Sequence, residues 1–118
     1  MSIQRLGQGE FLSQLVSYGG IAHLCGLTAQ DRQADVRGQT EQILQTMEAL
    51  LHQAGSDKSR LLMVNVYLAD IRTKDQLNAI WKSWVDPQAK PARAVVQTQL
   101  GAPDVLVEIS AVAALGKD

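Results

Sequence analysis

Two ionised side chains interrupt otherwise neutral, apolar runs. Arg93 lies at the start of Ala92–Leu100, ARAVVQTQL, just after Pro91, and Glu108 lies in the middle of Val105–Ala113, VLVEISAVA. Both runs are rich in β-branched residues and read as strands. A guanidinium is a planar fork that stays charged and grips a carboxylate through two parallel hydrogen bonds. A carboxylate can orient a water molecule and exchange protons with it. The pair therefore suits anchoring of a small organic acid and attack of water on a neighbouring carbon. A plainer reading stands beside this one. An Arg at a strand start is commonly a surface or ion-paired residue, and a lone strand Glu is commonly paired for structure.

The elements that must position these groups follow from alternation. Val107, Ile109 and Ala111 share one face of their strand, so Glu108 points the other way with Leu106, Ser110 and Val112. That second face is also largely apolar, so the carboxylate needs a partner or a water-filled pocket. Gly101-Ala102-Pro103-Asp104 is turn chemistry and predicts a β-hairpin joining the two runs. Symmetric pairing about Ala102 sets Arg93 opposite Ala111. Arg93 and Glu108 are then offset by roughly 10 Å along the strands, too far for one chain to grip both ends of a small molecule. The spacing predicts a working pair drawn from neighbouring chains.

Upstream, Gly19-Gly20 between Val16–Tyr18 and Ile21–Thr28 predicts another hairpin. Ile21, His23 and Cys25 fall on one face of its second strand, and Ala22, Leu24 and Gly26 on the other. Gly26 inside a strand marks a bulge or a place where something approaches the backbone closely. Asp35 is placed to cap a helix running to Gln53 or Ala54, with Gly55 as its stop and Ile43, Leu44, Met47, Leu50 and Leu51 on its apolar face. Its opposite face, with Arg37, Glu41, Gln45 and Glu48, reads as solvated. Leu61–Leu68, LLMVNVYL, suits a central strand buried on both faces, with Asn65 a hydrogen-bonded amide. Thr73-Lys74-Asp75-Gln76 has the capping-box pattern and begins a second helix, whose Trp81 and Trp84 read as core anchors and which Asp86-Pro87 ends. Met1–Gln14 shows no clear period. The order β-β-α-β-α-β-β predicts a two-layer α+β fold, a mixed sheet covered on one face by two helices. The uncovered face would be a large apolar patch on a monomer, which predicts self-association.

Beyond these patterns, the chain resembles a known family. Pro91-Ala92-Arg93, a strand, a Gly/Pro loop and then Val107-Glu108-Ile109-Ser110-Ala111-Val112-Ala113 resemble the RidA (YjgF) family of enamine/imine deaminases. Gln53–Ser59, Leu68-Ala69-Asp70 and Asn78–Trp84 are similar to its short YoaB-like branch, and the resemblance covers nearly the whole chain. It implies a chorismate-mutase-like fold and a homotrimer with clefts between subunits. It implies hydrolysis of 2-imino or 2-enamino acids to 2-keto acids and ammonia, with neither metal nor organic cofactor. Arg93 matches the substrate-anchoring Arg and Glu108 the water-activating Glu. Cys25 and Gly26 match pocket positions that act through their backbone, Asn78 matches a pocket Asn, and Val95 stands where many relatives have Cys. Ser110 departs from relatives with a second Glu there, and Phe11 or Leu12 falls near a pocket Tyr. Two further readings stay open. One is a non-catalytic module that holds a small carboxylate such as a 2-keto acid. The other is a structural or chaperone-like oligomer using its sheet face. Arg93 serves the enzyme and the binding module alike, whereas only the enzyme demands Glu108.

Composition bounds the remainder. A chain of 118 residues predicts one domain over positions 1–118, and 46% apolar with 19% charged residues argues against disorder. A net charge of −1 gives no electrostatic attraction to nucleic acid or to an anionic membrane. There is no phosphate-binding Gly motif and no basic patch with interleaved aromatics. Cys25 is the single cysteine, so no disulfide can form within the chain. His23, His52 and Cys25 lack metal-ligand spacing. With no signal-like apolar core and no run near the roughly 20 residues that span a bilayer, a soluble cytoplasmic protein is expected.

Overall fold

A computed structural model describes residues 1–116. The strands are β1 (Gln4–Leu6), β2 (Leu15–Tyr18), β3 (Ile21–Thr28), β4 (Leu61–Leu68), β5 (Ala92–Gln97) and β6 (Val107–Ala114). They form one sheet in the order β1-β2-β3-β6-β4-β5. Among the described residues only the β4–β5 pair is parallel. Gly19 and Gly20, at φ +62° and +84°, make the β2–β3 turn that needs two positive φ values. The short β1, in the stretch without a period, pairs on the outer side of β2.

Helices α1 (Val36–Gln53) and α2 (Lys74–Trp84) cover one face of the sheet. Asp35 caps α1 through its side chain, which accepts from the Gly38 backbone N–H at 2.9 Å. A Cβ at Gly38 would come within 2.8 Å of Ala34 Cβ, so this tight entry needs glycine. Gly55, at φ +83°, stops the helix as expected. Ile43, Met47 and Leu51 from α1 and Leu77 and Trp81 from α2 pack on Val64, Val66, Ile109 and Ala111 of the sheet to make the core.

Four expectations are corrected. The sequence between β5 and β6 is not a hairpin: β5 runs parallel to β4 at the sheet edge, and β6 inserts between β3 and β4. The reason lies in burial. Every second residue of β6 is fully buried, which demands an interior position, whereas β5 has no fully buried residue and tolerates an edge. Residues 98–106 are therefore a crossing loop, anchored by Gln39, whose side chain donates to Asp104 O at 3.0 Å and accepts from Leu106 N at 3.0 Å. Second, β4 is interior to the sheet but covered on one face only, so Asn65 lies half-buried on the open face beside Ser110. Third, Thr73 forms no side-chain cap on α2. Asp70 instead caps a 3₁₀ turn, Ile71–Thr73, and the Thr73 hydroxyl donates back to Asp70 O at 2.6 Å. Fourth, Glu48 is not a purely solvated residue: it accepts from Trp84 Nε1 at 2.9 Å, and Trp84 sits at the rim of the core.

Candidate functional site

Glu108 lies on β6 between Thr28 of β3 and Tyr67 of β4. Its neighbours Val107 and Ile109 are fully buried under the helices, so alternation turns Glu108 onto the open face. The adjoining stretch of β3 is a β-bulge. Leu24 pairs with Ala111 and Leu27 with Ile109, which leaves Cys25 and Gly26 together opposite Ser110. The bulge overturns simple alternation: Gly26 joins Cys25 on the open face instead of facing the core with Leu24. It is also a close approach. A Cβ on Gly26 would overlap Glu108 Oε2 and lie 2.8 Å from Glu108 Cδ. Both readings of an in-strand glycine apply here.

Among the described residues, no hydrogen bond or ion pair engages the half-buried Glu108 carboxylate. Burial, and then the Glu108 charge, push the Cys25 thiol above its ordinary range, so Cys25 is a protonated thiol at neutral pH. Its backbone N–H donates to Gln14 O at 2.9 Å. Beside the bulge is a hollow of about 490 Å³, lined by Leu12, Gln14, Cys25, Gly26 and Thr28 and by Gln42, Gln45 and Thr46 of α1. Leu12 reaches this hollow, while Phe11 is 90% exposed.

Arg93 sits elsewhere. It pairs with Val64, whose side chain is in the core, so it lies on the helix side of the sheet at the β5 edge. Its Nη1 donates to Asn78 Oδ1 at 2.9 Å, and its guanidinium carbon lies 5.3 Å from the centre of the Trp81 ring. Partial burial lowers the Arg93 pKa, yet an arginine stays charged throughout the working range. One N–H is committed to Asn78 and the guanidinium lies over the Trp81 ring, leaving the rest of the fork available. Val95, two residues on, pairs with Val66 and packs on the core from the same side.

The predicted residues therefore fall into two groups. Arg93, Asn78 and Val95 gather at the β5–α2 edge, whereas Glu108, Cys25 and Gly26 gather on the open face. Arg93 lines up across β4 with Ala111, through Val64, so the expected offset of three positions survives although the hairpin does not. A full strand and the thickness of the sheet now separate the two charges as well. Trp81 is the contributor that sequence reading assigned only to the core. Its spacing of three residues from Asn78 on one helix face was the available signal. Among the described residues, no three His, Cys, Asp or Glu side chains gather where they could hold a metal.

A family model described as endoribonuclease L-PSP matches residues 3–115. The chain belongs to the RidA/YjgF family. A RutC family protein of Haemophilus ducreyi is 35% identical over 96% of this chain and 97% of its own length. The RutC family protein YoaB of Escherichia coli is 32% identical over 98% of this chain and 100% of its own. The crystal structure of a YjgF family member from Neisseria meningitidis superimposes with a TM-score of 0.95 at 29% identity, covering 100% of this chain and 98% of that one. The α+β architecture of the RidA/YjgF fold, a mixed sheet with two helices, is thus the architecture of this chain. Among the described residues no helix is long and apolar enough to cross a membrane.

Proposed function

We propose that this protein hydrolyses reactive 2-imino and 2-enamino acids to 2-keto acids and ammonia, in clefts between the subunits of a homotrimer. One observation carries the reading. Among the described residues, Arg93 has no acidic partner and Glu108 no basic one, and the two lie on opposite faces of one sheet. A subunit or ligand that buried these groups would have to bring each a counterpart. A neighbouring subunit laid against the open face would set its Arg93 edge across from Glu108, and a substrate would bridge them.

In that cleft the free edge of Arg93 binds the substrate carboxylate, with Asn78 and Trp81 holding the fork in place. Glu108 orients a water and takes its proton as the oxygen attacks the C=N carbon. The same carboxyl group then delivers that proton to the nitrogen. Glu108 next takes the hydroxyl proton of the tetrahedral adduct and passes it to the amine, so that the C–N bond breaks, the C=O bond of the keto acid forms and ammonia leaves. Cys25 and Gly26 supply backbone beside the reacting carbon, and Val95 offers backbone at the β5 edge. An enamino acid is protonated at carbon first and then follows the same course.

The test is to generate 2-iminobutanoate in situ and follow ammonia release. Arg93→Ala and Glu108→Ala should each fall to the uncatalysed rate, while Glu108→Ala still binds a 2-keto acid. Equal rates in wild type and Arg93→Ala would remove the enzyme reading. Ligand binding with no turnover in any variant would leave the binding module in its place.

A further inference from the structure

Gly26 does more in this fold than allow a bulge. Its φ is not among the positive glycine values, so its backbone conformation is open to an L-residue. What excludes a side chain is Glu108: Oε2 and Cδ occupy the space a Cβ would take. These are the far atoms of a flexible side chain, so an added methyl group displaces the carboxylate and leaves the backbone where it is. The bulge turns this bare position onto the open face, opposite Ser110 and beside Glu108. Regular pairing would send position 26 toward the core and leave Glu108 with no surface to lie against.

We propose that Gly26 is a positioning residue for Glu108: its missing side chain is the seat on which the carboxylate rests, and the 25–26 bulge exists to present that seat. The role rests on the deaminase reading for its kinetic consequence but not for its geometry. Nothing else among the described residues holds Glu108 by a hydrogen bond or ion pair, so the seat decides where the carboxylate stands. Thr28, Tyr67 and Cys25 are the neighbours on the flanking strands. None offers it a positive charge.

Gly26→Ala is the direct test. Its crystal structure should show β3 and β6 unchanged and the Glu108 carboxylate moved off the bulge. On 2-imino acids kcat should fall about 100-fold, the cost of misplacing a catalytic group by about 1 Å. KM should stay close to wild type, because Arg93 still holds the substrate. Shortening the acid then compensates. Glu108→Asp should impair the wild-type protein, yet Gly26→Ala/Glu108→Asp should exceed Gly26→Ala alone, a coupling that two independent lesions would not show. An unmoved carboxylate in Gly26→Ala overturns the proposal, whatever the turnover. So does a double variant whose kcat is simply the product of the two single losses. If Gly26→Ala fails to fold, Glu108→Ala in the same chain should restore folding, and failure to do so overturns the proposal too. If no variant and no wild type turns over, the displaced carboxylate still upholds the seat while the deaminase reading falls.

Discussion

At the scale of single residues, the Arg93 side chain is built before any ligand arrives. Asn78 accepts one of its N–H groups, and its guanidinium lies over the Trp81 ring. Removing the amide should loosen the fork without touching the reacting carbon. Asn78→Ala is expected to raise KM for a 2-imino acid roughly tenfold with little change in kcat, the signature of lost uniform binding. Steady-state kinetics with in situ substrate check it. Cys25 reports on the other group. Burial is the larger cause of its raised pKa and the Glu108 charge the smaller. Glu108→Gln should therefore lower the thiol pKa part of the way toward its ordinary value, giving more thiolate at a fixed pH. Alkylation by iodoacetamide at pH 8 should quicken. Unchanged rates would mean that the carboxylate does not act on Cys25.

At the scale of elements, capping residues read from the sequence perform unevenly. Asp35 caps α1 as its spacing predicts, and Asp35→Ala should cost about 1 kcal/mol in urea unfolding. Thr73 does not cap α2, because a 3₁₀ turn started by Asp70 arrives first and takes its hydroxyl. Asp57 caps another 3₁₀ turn, Lys58–Arg60, and its hydrogen bonds to Ser59 hold its carboxyl below the usual carboxylate range. A depressed folded-state pKa stabilises above the unfolded value, about 3.9, and that contribution is lost as pH falls through the folded one. Asp57→Asn should accordingly be less stable than wild type at pH 7, and the difference should be smaller near pH 2, below that unfolded value. Chemical denaturation at the two pH values decides it. The strands show where local pattern stops. β2, β3 and β4 were legible from Gly-Gly and from apolar runs. β5 and β6 were legible as strands but not as neighbours, since a Gly/Pro loop reads the same whether it closes a hairpin or crosses over a strand.

At the scale of the whole molecule, the proposed site needs two chains. This has a consequence that no single-chain site shares. Arg93→Ala and Glu108→Ala should each be inactive, but a mixed assembly would contain clefts in which one subunit gives an intact Arg93 and its neighbour an intact Glu108. Equal mixing by unfolding and refolding should restore about one quarter of wild-type turnover, because random placement makes one cleft in four complete. No recovery would confine each site to one subunit. The same proposed arrangement would cover the open face, where Met63, Asn65 and Tyr67 of β4 and Val112 of β6 lie half-buried and without a covering layer.

Local chemistry in the chain was enough to determine the two helices, the Gly-Gly hairpin, β4 as a strand, a two-layer architecture and the identity of the two exceptional charges. These depend on contacts within a few residues, on period and on the cost of a charge among apolar neighbours. Tertiary structure alone decided that β6 lies between β3 and β4, that a bulge turns Gly26 toward Glu108, and that Trp81 supports Arg93. It alone decided that the two charges face opposite ways. Strand order and bulges are settled by competition for burial among segments far apart in sequence, and alternation within one strand carries no record of that competition.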